Sequence, residues 1–545
     1  MFIRPIHVKR NGKRYAYWAL VESYRSERGP RQRTVAHLGQ MDKAGRLGIK
    51  RAAQGEDIPH QRRLFDDVEP EWIEVDIRRV RVERCVDFGG PWLGLKLCNR
   101  LGLISWLRRV MPEGREEIPW SLMGLVLVLS RLCHPCSELH IAEHFYGHTA
   151  LNDLLGVAVD KVNEDRLYRA LDKLLSHKEA LERHLKERLG TLFNLEHHLL
   201  LYDITSTYFE GEAKGNSLAQ YGYSQDRRSD CKQVCIGLAV SRCGIPLGYE
   251  VFAGNRSDVT TVEEIVGTME ARYGKADRIW VMDRGMVSER NIEFLKRGGR
   301  RYIVGTPKGM LKKFERDLLR EDWDTVHKGL EVKLCPSLDG DETFILCRSR
   351  DRREKEKAMH EKFEKRLEAR LKEMEKSYAQ RRYKLMTIAK RLGKLLGRNN
   401  WAQLSKGCYL LRSNVNEWDA EDLWKAYMQL TEAEAAFRIH KSDLSIRPIW
   451  HQKAERVAAH ILVCFLAYVL WKTLGQVCHQ VGLGDEPRRV LEELSHIKAV
   501  DVILPTKSGT EIRRRCISHP TDHQAILLHY LGLSLPQNLQ LTNQK

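Results

Sequence analysis

Two aspartates stand where an apolar strand would ordinarily carry none. The run Leu199-Leu-Leu-Tyr-Asp203-Ile-Thr-Ser-Thr-Tyr-Phe209 is a β pattern with a carboxylate in its middle. Burying that charge costs on the order of several kcal/mol unless something pairs with it. No cation at local spacing is an evident partner. Asp283 closes a second apolar run, Ile279-Trp-Val-Met-Asp283, at the carboxyl end of a strand, where functional groups gather in open α/β sheets. Two carboxylates converging from neighbouring strands with no cation between them repel unless they bind divalent metal, as in two-metal phosphoryl-transfer sites. Without that convergence they are two unrelated aspartates capping loops.

The elements that must position them alternate in a defined order. After the Asp203 strand come Val234–Val240, a turn at Cys243-Gly244, and Ile245–Phe252, which read as an antiparallel meander. A helix at Val259–Arg272, the Asp283 strand, a helix at Ser288–Lys296 and a strand at Arg301–Gly305 follow. The order is β-β-β-α-β-α-β, an α/β class with a mixed five-stranded sheet.

This order, with Asp203 on the first strand and Asp283 ending the fourth, resembles the ribonuclease-H-like core of DDE insertion-sequence transposases. The stretches Asp203-Ile-Thr-Ser-Thr-Tyr-Phe-Glu-Gly, Gly254-Asn-Arg-Ser-Asp258 and Asp283-Arg-Gly resemble the branch with a Tyr-Arg-Glu-Lys signature on the helix of the third carboxylate. Tyr427, Glu434 and Lys441 fall on the signature's spacing, and Leu430 stands at its Arg position. The resemblance implies that Asp203, Asp283 and Glu434 are catalytic and hold two Mg²⁺ ions, with Mn²⁺ as a substitute. It also implies double-stranded DNA as partner, at the element's terminal inverted repeats and at the target, and a homodimer in the synaptic complex. The implied reaction is strand cleavage followed by strand transfer. A metal-dependent nuclease or junction resolvase on the same fold, or a catalytically silent DNA-binding derivative, are the alternatives.

The spacing also has a helical logic of its own. Seven residues advance an α-helix by nearly two turns, so Tyr427, Glu434 and Lys441 are expected on one face, with Arg438 beside them. Such a stripe suits metal ligation beside DNA phosphates. An amphipathic helix with a Glu434–Arg438 pair would read similarly. With the signature Arg absent, Arg438 is the expected substitute for the phosphate contact.

The remaining chain sets the context. Its 545 residues call for several domains, and 42% hydrophobic with 30% charged residues exclude wholesale disorder. A net charge of +18 argues for a polyanionic partner. Residues 1–50 carry twelve Lys/Arg against three acids, half of that surplus. They read as a basic β-meander suited to DNA backbone contact, or as basic strands packed on the body. The thirteen cysteines are scattered, and no signal-peptide pattern follows Met1, so a cytoplasmic, nucleoid-associated bacterial protein is expected. Cys133 and Cys136 lack the second pair that a zinc site needs. The apolar stretches Ile118–Leu132 and Val457–Leu474 read as buried core helices, so no membrane partner is expected.

The expected domains are 1–85, basic and β-rich; 86–196, helical and DNA-binding; 197–305, the first part of the core; 306–420, an insertion; 421–480, the Glu helix and a buttressing helix; and 481–545, a C-terminal tail. In the second of these, Asn163 caps a helix bearing Arg166 and Arg169 on adjacent turns, a recognition helix or an ordinary amphipathic one. The insertion holds a Lys/Glu/Arg run from Asp351 to Arg398 that reads as one long exposed helix. Arg447 and His451 suit either DNA contact or packing.

Overall fold

The computed structural model describes residues 2–10, 13–26, 29–39, 73–194, 199–275, 278–337, 340–375 and 399–536. The chain divides into two compact units. One comprises Met1–Leu195, Tyr208–Ser217 and Arg438–Lys545, and the other Glu196–Thr207 and Leu218–Phe437.

In the first unit, β1 (Phe2–Arg10), β2 (Lys13–Ser26) and β3 (Gly29–Gly39) form an antiparallel meander. β4 (Arg81–Asp87) leads into a helical body. Helix Trp120–Cys133 is largely apolar, with Arg131 its one charged residue, and a helix apolar on most sides is buried. It packs against helices Ala454–Gln480 and Glu164–Leu175. Ala454–Gln480 has 27 residues, long and apolar enough to cross a membrane, but 94% of its apolar window is buried inside the protein. It is the core helix that the sequence suggested.

The second unit is built on a sheet. Its strands are β5 (Leu199–Tyr208), β6 (Gln233–Ser241), β7 (Pro246–Ala253), β8 (Ile279–Met282), β9 (Arg301–Gly305), β10 (Asp324–His327), β11 (Leu330–Pro336), β12 (Thr343–Ser349) and β13 (Cys408–Ser413). They lie in the order β10-β11-β12-β13-β9-β8-β5-β6-β7. The sheet therefore has nine strands, not the five expected. The extra four come from residues 306–420, which extend the sheet through antiparallel pairing of β13 with β9. The charged run of that segment is helical over Arg350–Glu375. Its remainder, 376–398, lies outside the described residues.

β5, β8 and β9 are parallel, with Leu199 opposite Ile279 and Ile279 opposite Arg301. Side chains alternate between faces along a strand. Leu200, Tyr202, Ile204, Trp280 and Met282 pack on one face with Val262, Ile265 and Met269 of helix Val262–Tyr273 and with Ile292 and Leu295 of helix Glu289–Arg297. Odd-numbered positions of β5 face the other side, where helix Ala420–Met428 lies against β8 and β9.

Back in the first unit, β14 (Lys498–Pro505) and β15 (Glu511–Ile517) join β4 in a sheet ordered β15-β14-β4. With helices Pro487–Ser495 and Asp522–Tyr530, they give the residues expected as a tail a folded structure, tied by the buried Arg515–Asp501 ion pair.

Candidate active site

Strand register brings the two aspartates together. Tyr202 pairs with Met282 across the parallel β5 and β8, so one residue further along, Asp203 and Asp283 are level on adjacent strands. Adjacent strands lie ~4.8 Å apart. Both aspartates point away from the face that Tyr202 and Met282 pack on. All but two residues of β5 are buried, and Asp203 is half-buried within it. Asp283 is exposed just beyond β8, at the sheet's carboxyl edge.

Two further carboxylates complete the cluster. Burial, followed by the charges of Asp283, Glu434 and Asp258, pushes the Asp203 carboxyl up to about 7, although the Ile204 N–H donates to its Oδ1 at 2.8 Å and opposes the shift. Asp258 is itself raised, by burial and then by Asp283. Among the described residues, no ion pair neutralises any of these four carboxylates. Hard divalent cations take such all-oxygen sets, so the donors fit Mg²⁺ or Mn²⁺.

Asp258 ends the loop stretch Gly254-Asn-Arg-Ser-Asp258 and opens the 3-10 turn Asp258–Thr260 outside any strand, so no strand anomaly marks it as a site residue. Gly254, at the loop's start, explains the placement. A Cβ there would sit 1.9 Å from Gln233 O and 2.6 Å from Gln220 O, so only glycine permits this backbone approach. The Thr261 hydroxyl then donates to Asp258 O at 2.7 Å, and the Tyr202 hydroxyl beneath the sheet donates to Thr261 Oγ1 at 3.0 Å.

Tyr427 reaches the cluster directly. Its hydroxyl donates to Asp283 Oδ1 at 3.1 Å, and burial, with the Asp283 charge second, raises the phenol so that it stays protonated. The contact depends on Gly305 at the end of β9, where a Cβ would lie 2.4 Å from the phenol oxygen and 3.1 Å from Arg284 N.

The single helix expected to carry Tyr427, Glu434 and Lys441 is two. Ala420–Met428 ends at Gln429, whose N–H bonds to Ala426 O three residues back, and Leu430–Ser442 begins anew. A three-residue step tightens the turn at Gln429, yet Tyr427 and Glu434 both act on the same cluster, Tyr427 through Asp283 and Glu434 through its charge on Asp203. Glu434 and Arg438 are exposed one turn apart on the second helix, Lys441 is half-buried in its last turn, and Leu430 is buried at its start.

A cleft of about 210 Å³ adjoins Asp283, lined by Arg284, Thr306, Lys308, Arg352 and Tyr427. Arg352 comes from the charged helix and lies over the Tyr409 ring at 4.7 Å. Lys308 is held by Glu356 at 2.8 Å. Arg284 is exposed. Sequence reasoning missed these cations, because they belong to separate segments that only the nine-stranded sheet brings together.

Comparison with known proteins bears on this arrangement. The transposase DDE domain model matches residues 194–470, which span β5 to β9, the insertion and the Glu434 helix. The chain belongs to the DDE transposases. The N-terminal domain model of IS1634 family transposases matches residues 3–67, placing this transposase with the insertion-sequence enzymes that cut and join DNA. No curated protein matches it. A solved structure, the cryo-EM structure of piggyBac transposase synaptic complex with hairpin DNA, is similar over 78% of this chain and 82% of that one, at 9% identity and a TM-score of 0.37.

The other expected DNA contacts lie in the helical unit of the transposase. Asn163 caps helix Glu164–Leu175 by accepting from Arg166 N at 2.9 Å. Leu167, Ala170, Leu171 and Leu174 of that helix are buried. The Arg166 guanidinium is engaged by Glu117 and by Lys161 O, whereas Arg169 is exposed. His451 is buried against Glu138, and the free thiols of Cys133 and Cys136 belong to no group of metal donors among the described residues.

Proposed function

We propose that the transposase binds the terminal inverted repeats of its element as a pair of protomers in the bacterial cytoplasm, nicks the ends, and joins the freed 3′-hydroxyl to target DNA. The observation that carries this reading is the cluster of Asp203, Asp283, Glu434 and Asp258, uncompensated by any ion pair among the described residues, with Asp203 pushed up to about 7. The β7-β6-β5-β8-β9 portion of the sheet supports a ribonuclease-H-like core, because the first strand is central and carries the first aspartate.

Asp203, Asp283 and Glu434 would hold two Mg²⁺, with Asp258 as a further oxygen donor. Bound there, the ions would supply charge neutralisation at the attacking and departing oxygens of an in-line displacement. The protein's own groups do the rest. Tyr427 fixes the Asp283 carboxylate through its hydroxyl. Asp203 must give up its proton to act as an anionic ligand. Arg284, Lys308 and Arg352 line the cleft beside Asp283 and neutralise phosphates of the strand laid across it. Arg352 thereby adds a phosphate contact to the one expected from Arg438 in place of Leu430. Arg438, Lys441 and Arg169, with the basic strands β1 to β3, are the further DNA contacts.

The test is an end-cleavage assay. Linear DNA carrying the element's ends, incubated with the full chain and Mg²⁺, should yield nicked and then joined products, and EDTA should abolish both. Cleavage that never proceeds to joining would favour the nuclease reading.

A further inference from the structure

Glu138, His451 and His460 come from three separate segments of the helical unit. Glu138 opens the short helical turn that follows Cys136 and the Ser137 cap. His451 lies just beyond Ile449, which bridges to Phe209. His460 is in the first turns of the core helix Ala454–Gln480. All three are withdrawn from solvent, with Glu138 at 4% and His460 at 6% exposure and the His451 side chain at 9%.

One donor atom of each lies within 4.8 Å of the other two. Glu138 Oε1 and His451 Nε2 are 3.4 Å apart. That is long for an N–H···O hydrogen bond. It matches the edge of a tetrahedron whose ligand bonds are ~2.1 Å. His460 Nε2 faces Ile446 O at 3.2 Å and must donate to it, which leaves the lone pair on Nδ1. An imidazole whose second nitrogen is tied to a backbone carbonyl is already oriented as a metal ligand. The two imidazole rings are 5.4 Å apart, and Tyr168 closes one side with its ring 6.0 Å from His451. The nearby Arg131 guanidinium bonds to Ser445 O and Cys136 O.

We propose that Glu138, His451 and His460 bind one divalent transition-metal ion, Zn²⁺ in first place, which staples three chain segments of the helical unit. Two imidazoles and one carboxylate suit Zn²⁺ and disfavour Mg²⁺, which prefers oxygen donors and retained water. Three protein donors leave one position for water. The site has different donors and a different role from the carboxylate cluster, so it stands or falls independently of the phosphoryl-transfer reading. The competing arrangement is a protonated His451 paired with Glu138, with no metal.

The experiment loads the purified full-length chain with Zn²⁺, dialyses it into metal-free buffer and measures zinc per chain. The Asp203→Asn/Asp283→Asn double variant runs in parallel, to keep the carboxylate cluster out of the count. One zinc per chain is expected in both proteins, with a higher melting temperature than after chelation. Glu138→Gln and His451→Gln should bind Zn²⁺ at least ~100-fold more weakly. Should those variants fail to fold, Co²⁺ titration of the double variant decides. A visible absorption band saturating at one equivalent supports the site. The absence of that band, or of zinc in the wild type, or unchanged zinc in a folded Glu138→Gln protein, would overturn it.

Discussion

Buried or crowded carboxylates occur in both units of this transposase, and they are compensated differently. In the sheet unit Asp203, Asp258, Asp283 and Glu434 meet without an ion pair among the described residues, and burial first, with the neighbouring carboxylate charges adding to it, raises Asp203 to about 7. In the helical unit Glu138 meets two imidazoles that can either share a proton with it or share a metal. The first arrangement is unfavourable until a hard cation arrives. The second needs only a shared proton or one borderline cation, and can serve structure alone. The chemistry follows from what stands beside the carboxylate: acids alone call for Mg²⁺, and acid with imidazole calls for Zn²⁺ or a proton.

The sharpest way to separate the clusters is Asp283→Asn. Cleavage of end DNA should fall by ~10³ or more, whereas zinc bound to the helical unit should be unchanged. Loss of both on one substitution would mean that the two sites are not independent.

A pH series tests the electrostatics. Because the folded value of Asp203 is raised, the folded chain binds its proton more tightly than the unfolded chain does. The metal-free protein should therefore have the full stabilising contribution of Asp203 below the ordinary carboxyl value near ~4. It should lose stability as pH rises from there to about 7, and level off above. Asp203→Asn should remove that slope in thermal melts. Metal must displace the same proton, so Mg²⁺-dependent cleavage should drop about tenfold per pH unit below about 7. A flat profile there would contradict the crowding argument.

Smaller effects probe the supports. Gly305→Ala places a Cβ 2.4 Å from the Tyr427 hydroxyl and should slow cleavage about as much as Tyr427→Phe, roughly tenfold each. If the double variant is no slower than either single one, the two act through the same Asp283 contact. Arg352→Ala should weaken DNA binding several-fold and reduce the salt slope by about one phosphate contact. An unchanged slope would remove Arg352 from the phosphate path.

Local patterns made part of this legible. An Asp inside the apolar β5 and another at the end of β8 are anomalies visible in single strands, and the largely apolar Trp120–Cys133 reads as a buried helix. Non-local pairing hid the rest. β10 to β13 lie in a charged segment, and β13 reaches β9 across the long insertion, with Leu411 opposite Gly305. The alternation Leu330-Glu-Val-Lys-Leu334 marks a strand, but nothing local names its partner or that of β13. The break at Gln429 has neither Gly nor Pro to mark it, and so the 427–441 spacing looked continuous. Asp258 depends on a backbone approach at Gly254 that leaves no periodic trace. Glu138 and its two histidines are so distant in sequence that only the packing of helix Ala454–Gln480 makes them neighbours.

The central claim is that Glu434 completes a metal-binding carboxylate set with Asp203 and Asp283. Glu434→Gln keeps the side chain's size and its exposed place on helix Leu430–Ser442 while removing the charge. The decisive measurement is Mg²⁺-dependent cleavage of end DNA by this variant, beside Glu432→Gln, whose side chain lies about 200° around the same helix. The account predicts that Glu434→Gln binds the DNA normally but neither cleaves nor joins it, while Glu432→Gln retains nearly full activity. Normal cleavage by Glu434→Gln would show that the third metal-binding carboxylate lies elsewhere.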